Sequence, residues 1–350
     1  MKETSREVTQ ENKRGASGTQ IVEQNNYYGM DYQSTKSLCL DLIRNEISIY
    51  KDEAEIVAIQ RDEALLEKLF EKLKQEKLDD DRVCEEFKNP DMQYTYVEAQ
   101  KAYIRLGTHE LENLLAELLV GRIKENKRTL LQIALGEAIT VVPMLLPEQI
   151  NILALCFILR YTRSLIVNNM PSFLAHIQRD IMPFVLNEMP KESLFQHLVY
   201  AKTGSIELGE ISLSEIIKRT YGGLFLKGYV GEEIQEFIKK YPQYFTRCIQ
   251  DNSKYQVNAI NQDELQERLK KSNLSTEDVK FIEDHFVSNI MSNQEIQKYL
   301  CKILPSCEKL FKQWDDTSFK HFTLTSVGIV LGANQAKRVT NEKFDLGIWI

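Results

Sequence analysis

The stretch from Thr129 to Val167, TLLQIALGEAITVVPMLLPEQINILALCFILRYTRSLIV, is the most apolar part of the chain and constrains its fold most. It has the length to cross a bilayer, but Pro143 and Pro147 bracket Met-Leu-Leu, and Glu148 and Gln149 follow at once. Proline is tolerated in the first turn of a helix and disfavoured inside one. Leu146-Pro147-Glu148-Gln149 therefore reads as a new helix start, with its acid near the positive end of the dipole. The stretch becomes two helices, the first over Thr129 to Val142, and neither offers the ~20 uninterrupted apolar residues of a spanning helix. Helices apolar nearly all round belong at the centre of a large core, so a buried helical hairpin is predicted. A re-entrant or pore-forming segment is the rival reading.

Hydrophobic residues at 43% and charged residues at 27% place the 350-residue chain among globular proteins, with length for two domains or one elongated helical array. A net charge of -7 disfavours nucleic acid as a partner, because gripping its backbone takes a concentrated basic face. The cluster GRIKENKR, with Lys124, Lys127 and Arg128, reads as the solvated turn before the hairpin. The six cysteines, Cys39, Cys84, Cys156, Cys248, Cys301 and Cys307, show no metal or redox spacing. Met1-Lys2-Glu3-Thr4 does not open a leader, so a reducing, cytoplasmic setting is expected, with no constitutive membrane association.

In chain order, residues 1–17 are polar and predicted to be disordered, since they bring almost no apolar surface to offset the entropy of ordering. Residues 18–32 follow as a β-arm, with Ile21, Val22, Tyr27 and Tyr28 as its β-forming side chains. An isolated strand leaves its backbone groups unpaired, so pairing between subunits is predicted, with a flexible arm as the alternative. Residues 33–88 read as a long helix, free of proline and glycine from Ser34 to Leu78, and a connecting helix. Ile43, Ile47, Tyr50, Ala54 and Val57 keep heptad spacing until Arg61 falls on the seam, and a second phase runs through Leu65, Leu69 and Leu73. A short coiled coil and a long helix wrapping others both fit. Asp79 to Asp81 read as a turn or helix cap.

Residues 89–202 form the predicted central helical core, with Gly107 as a helix stop and Leu111, Leu114, Leu115, Leu118 and Leu119 as a buried stripe. Residues 203–230 are a glycine-rich connector in which Ser205 to Ile211 alternates as a short strand or hairpin turn. Ser212 to Glu215 there has capping-box spacing. Tyr221-Gly222-Gly223-Leu224-Phe225 lacks both P-loop and dinucleotide spacing and reads as a helix-ending turn. Residues 231–350 are a C-terminal helical region, with Ser275 and Thr276 starting one helix. Gly328 and Gly332, at GxxxG spacing in TLTSVGIVLGA, permit close helix approach. The chain ends FDLGIWI, where Phe344, Leu346, Ile348 and Ile350 alternate with strand period, and with Trp349 they make an apolar tail that should be docked.

Motifs for chemistry do not emerge. His109, His176, His197, His285 and His321 never take a ligand spacing, and Glu283-Asp284-His285 point in different directions on a helix. Cys301 and Cys307 have no nearby histidine pair, and no GxSxG is present. Asp278 and Lys280, with Asp263 and Glu264 upstream, resemble a nuclease fragment but sit at a helix start without flanking strands. No catalytic, metal or cofactor-binding residue is assigned, and no cofactor is expected.

Four segments, TQIVEQNNYYG, KNPDMQYTYVEAQKAYIRLG, LLPEQINILALCFILRYTR and LTSVGIVLGANQAKRV with the terminal DLGIWI, together resemble an uncharacterised family of bacterial proteins known by locus-tag names. The resemblance covers most of residues 19–350. It implies a bacterial, intracellular, mostly helical protein and transfers no site. The polar strand with N-N-Y-Y is similar to N-terminal arms of some bacterial defence proteins, an analogy that points to an antiviral role. The sequence reads as an all-α array or bundle with a short N-terminal β-arm and a C-terminal strand. Its expected function is that of a non-enzymatic scaffold or sensor that self-associates through the arm, with Ile21, Val22, Tyr27, Tyr28 and the tail as interaction residues and room for a further protein partner. A membrane-acting effector that exposes the 129–167 hairpin is the alternative, and an enzyme with a dispersed site is the third reading.

Overall fold

The computed structural model describes residues 32–48, 50, 53–125 and 127–350, so the expected arm with Ile21, Val22, Tyr27 and Tyr28 lies outside the described residues. The chain begins with α1 (Tyr32–Asp41), α2 (Arg44–Ile47) and α3 (Glu53–Gln75). The single helix expected from Ser34 to Leu78 is therefore broken. Tertiary burial overrides local propensity here: Ile43 and Ile47 turn inward and pack with Ala58 and Ile104 in a small cluster of their own. Val57 is left outside, so the first heptad phase is not a continuous seam, whereas Leu65, Leu69 and Leu73 are buried.

Next come α4 (Asp80–Phe87), α5 (Pro90–Leu106), α6 (His109–Lys124), α7 (Leu130–Val141) and α8 (Pro147–Tyr161). Asp79 caps α4 through a bond from the Asp81 amide, as an acid before a helix start should. Gly107 closes α5 at φ 64. The hairpin of α7 and α8 forms as its prolines direct, with Pro147 in the first turn of α8 and the Gln149 side chain accepting from the Leu146 amide at 3.0 Å. Every residue from Ile152 to Leu159 is buried. No helix of the described residues is long and apolar enough to cross a membrane.

Beyond the hairpin lie α9 (Met170–His176), α10 (Glu192–Tyr200), β1 (Gly204–Ile206) and α11 (Leu213–Tyr221). They are followed by α12 (Gly231–Lys240), β2 (Phe245–Arg247), β3 (Tyr255–Val257), α13 (Gln262–Lys270) and α14 (Thr276–Asn289). The chain closes with α15 (Asn293–Ile303), α16 (Cys307–Asp315), β4 (Phe322–Leu324) and α17 (Ser326–Thr340). Ser212 and Ser275 cap α11 and α14 by accepting from Glu215 and Asp278 amides. The fold is mostly helical. Among the described residues the sheets are two antiparallel pairs, β1 with β4 (Gly204 opposite Leu324) and β2 with β3 (Phe245 opposite Val257).

The residues after 230 do not pack as one unit. Leu226, Ile234, Phe245, Val257, Leu265, Leu269, Ile282 and Phe286 share a small separate core, whereas the helices from α15 onward return to the main one. The segment between Leu226 and Ile290 is thus an insertion, and its two ends meet at a Leu226–Ile290 bridge and a bond from the Met291 amide to the Phe225 carbonyl at 2.9 Å.

The main core is closed by α17 lying along α8. A Cβ on Gly332 would stand 2.6 Å from the Leu153 carbonyl oxygen of α8, and one on Gly328 would stand 1.8 Å from that of Thr203. Backbone, not a flexible side chain, occupies both spaces, so the GxxxG spacing is used inside one chain. Replacing Gly332 by Ala should force the two helices apart and destabilise the protein by roughly 1–3 kcal/mol, the usual cost of overpacking. Urea unfolding of the variant checks this, and an unchanged midpoint would contradict the packing described.

Candidate functional site

The apolar tail does not form the strand that its alternation suggests. Leu346–Ile348 is a single 3-10 turn, and Asp345 accepts from the Gly347 amide. With no strand edge alongside among the described residues, the side chains are instead sorted by contact with α8. Phe344 and Trp349 each meet the buried Phe157 ring edge-on, at 5.1 Å between centroids. Trp349 Nε1 donates to the Tyr161 carbonyl at 2.9 Å, satisfying one of the acceptors that the end of α8 leaves without a helical partner. Leu346 and Ile350 also pack on the main core, while Ile348 is 72% exposed. Lys337 and Lys343 reach Glu76 at 3.6 and 3.8 Å, joining Lys124 at 2.7 Å. The tail residues are thus gathered into one contact, except Ile348.

A polar cleft of about 390 Å³ opens where the turn after α8 faces the insertion. Arg163, Ser164 and Asn168 line one side, and Thr246, Arg247 and Asn258 the other. Its walls are held from behind. The Ser164 amide donates to the Tyr221 hydroxyl at 2.8 Å, and buried Gln256 donates to the Gly223 carbonyl at 3.0 Å while accepting from the Ile249 amide at 2.9 Å. Gly223 is required, since a Cβ there would stand 1.8 Å from the Ala259 carbonyl oxygen. Gly223, in the turn that ends α11, is therefore a packing point that seats the insertion on the core.

Two buried polar clusters carry titratable groups that the sequence did not single out. In the first, α9 continues into a π-helical turn, Ile177–Ile181, a geometry often found at functional positions. His176 Nδ1 lies 2.8 Å from Asp180, and Arg179 Nε donates to the same carboxylate at 2.6 Å. Burial pushes the Asp180 carboxyl up, but the bonds from Arg179 and His176 outweigh it and hold it below its usual range. The cavity beside His176 is only about 20 Å³, room for one water rather than a substrate. Arg179 also reaches Glu342 at 3.5 Å, so the cluster ties α9 to the end of α17.

In the second cluster, Asp62 of α3 lies buried between α1 and α5. Gln100 Nε2 donates to it at 2.6 Å and to the Cys39 carbonyl at 3.0 Å. Gln100 Oε1 and the Tyr96 hydroxyl are buried there without a hydrogen-bond partner. Burial above all pushes the Asp62 carboxyl up to about 6, against the Gln100 bond. The helical spacing of Asp62 with the apolar Leu65, Leu66 and Leu69 was the signal for its burial. Among the described residues, no group of three or more His, Cys, Asp or Glu could hold a metal ion.

These features define a helical protein with an inserted small lobe and a tail docked on its central helix. A family model matches residues 29–350, and the chain belongs to that uncharacterised family. No curated protein and no solved structure matches it.

The Asp62 environment makes a pH prediction with a definite sign. Its folded pKa lies above the unfolded value, so stability from this group is fully present below the unfolded pKa of 3.8 and is lost as pH rises through about 6. Asp62→Asn should remove that loss, giving a higher Tm than the parent at pH 8 and a flatter profile between pH 4 and 7. Thermal unfolding across that range checks it, and parallel profiles would contradict it.

Proposed function

We propose that the protein is a non-enzymatic, self-associating helical scaffold or sensor, with subunits joined through the N-terminal segment containing Ile21, Val22, Tyr27 and Tyr28 and through the first turns of α3. The observation that carries the proposal is the exposure of Ile56, Val57 and Ile59, which are 58%, 42% and 41% accessible. Apolar side chains exposed singly need no explanation, but Ile56 and Ile59 share a helix face with Val57 beside them, and such a patch is characteristic of a covered surface. Tyr50, also exposed, precedes it.

A groove of about 640 Å³ beside α1 adds support, with Leu40, Leu66 and Phe70 among its lining and Lys36, Glu63 and Glu67 around them. An apolar floor within a charged rim suits a segment that mixes Ile, Val and Tyr with Asn and Gln. A place in bacterial antiviral defence is the finer part of the proposal. It is supported by the likeness of the N-N-Y-Y arm to those of some bacterial defence proteins.

Size-exclusion chromatography with light scattering tests the association. The full chain is expected at a multiple of its 40.7 kDa mass, and a chain beginning at Asp31 or the full chain with Ile56→Lys and Ile59→Lys at a lower one. Equal masses for all three would contradict the proposal.

A further inference from the structure

The cleft at Arg163 and Arg247 has the chemistry of a ligand site, independently of any self-association. Arg163 makes no ion pair with a described residue. Arg247 has none either: its guanidinium lies 4.2 Å over the Tyr255 ring, and its other contact is a 3.5 Å bond to the Asn252 carbonyl. Stacking fixes the plane of a guanidinium without consuming its fork of donors. The carboxylate lining the same cleft, Glu264, is engaged at 4.0 Å by Arg268 from its own helix. In a chain with 51 acids and 44 basic residues, two arginines on one cleft without carboxylate partners are a local excess of positive charge.

Side-chain hydroxyls and amides from Ser164, Asn168, Thr246 and Asn258 add neutral polar groups around the cations. At about 390 Å³ the space falls in the lower part of the range of small-molecule sites. Leu165, 81% exposed, borders it with an apolar surface. The walls are already held by Tyr221, Gln256 and the contact at Gly223, so little ordering would be spent on binding. We propose that this cleft binds a small organic oxyanion, a phosphate ester or a carboxylate, with Arg163 and Arg247 gripping the anion and the amides meeting the remainder of the molecule.

Thermal shift of the full chain tests this with a hexose phosphate and a dicarboxylate as probes, each against chloride at matched ionic strength to remove general screening. A concentration-dependent rise in Tm with either probe is expected, and the more effective one identifies the anion. Arg163→Gln and Arg247→Gln, both at exposed positions, should keep the unliganded Tm and weaken the apparent affinity at least about tenfold each, as loss of a charged hydrogen bond implies. No shift with either probe, or an equal shift in the double variant, overturns the proposal.

Discussion

The structure depends on the backbone-to-backbone approach of α17 to α8. Eight consecutive buried residues of α8 need cover on every side, and α17 supplies it at a distance that only glycine permits opposite the Leu153 carbonyl. What flanks α17 is placed with it. Before it, β4 pairs with β1 and the Phe322 carbonyl accepts from the Cys156 thiol at 3.4 Å. After it, the tail brings Phe344 and Trp349 onto Phe157.

Polar groups in the core are tied down by contacts that hold segments in place. Buried Gln313 holds the turn at Leu186 from both sides, donating to its carbonyl at 2.6 Å and accepting from its amide at 3.0 Å. Arg122, 1% exposed, binds Asp91 at 2.6 Å and fixes the start of α5 against α6. Such groups cost free energy when left unpaired in a low-dielectric interior, and their satisfaction makes specific geometry. Among the described residues, capacity to spare is left inside at Gln100 Oε1 and the Tyr96 hydroxyl, and at the periphery in the apolar patch that opens α3 and the arginines of the cleft.

Features written by local chemistry were legible in the sequence. Pro147 at a helix start, Gly107 at a helix end and serines three residues before an acid each act within one turn, and each does so here. Features set by distant contacts were not. Nothing near Ile43 announces that Ile104 will draw it inward and break the helix. The FDLGIWI alternation is compatible with a strand, but strand formation needs a neighbouring edge, and the aromatic surface at the end of α8 wins instead. The segment from Thr323 likewise divides into β4 and then α17, because Ser205 and its neighbours return to pair with it. Arg163 and Arg247 lie far apart in sequence, and only the seating of the insertion at Gly223 puts them on one cleft.

Helix α8 and its hairpin partner lie in the main core, and the association proposed above falls at the N-terminal side of α3. Hydrogen–deuterium exchange of the full chain across a dilution series tests both halves at once. The account predicts that amides at the start of α3 gain protection with concentration while those of α8 stay equally protected throughout. Concentration-dependent exchange in α8, with α3 unchanged, would contradict it.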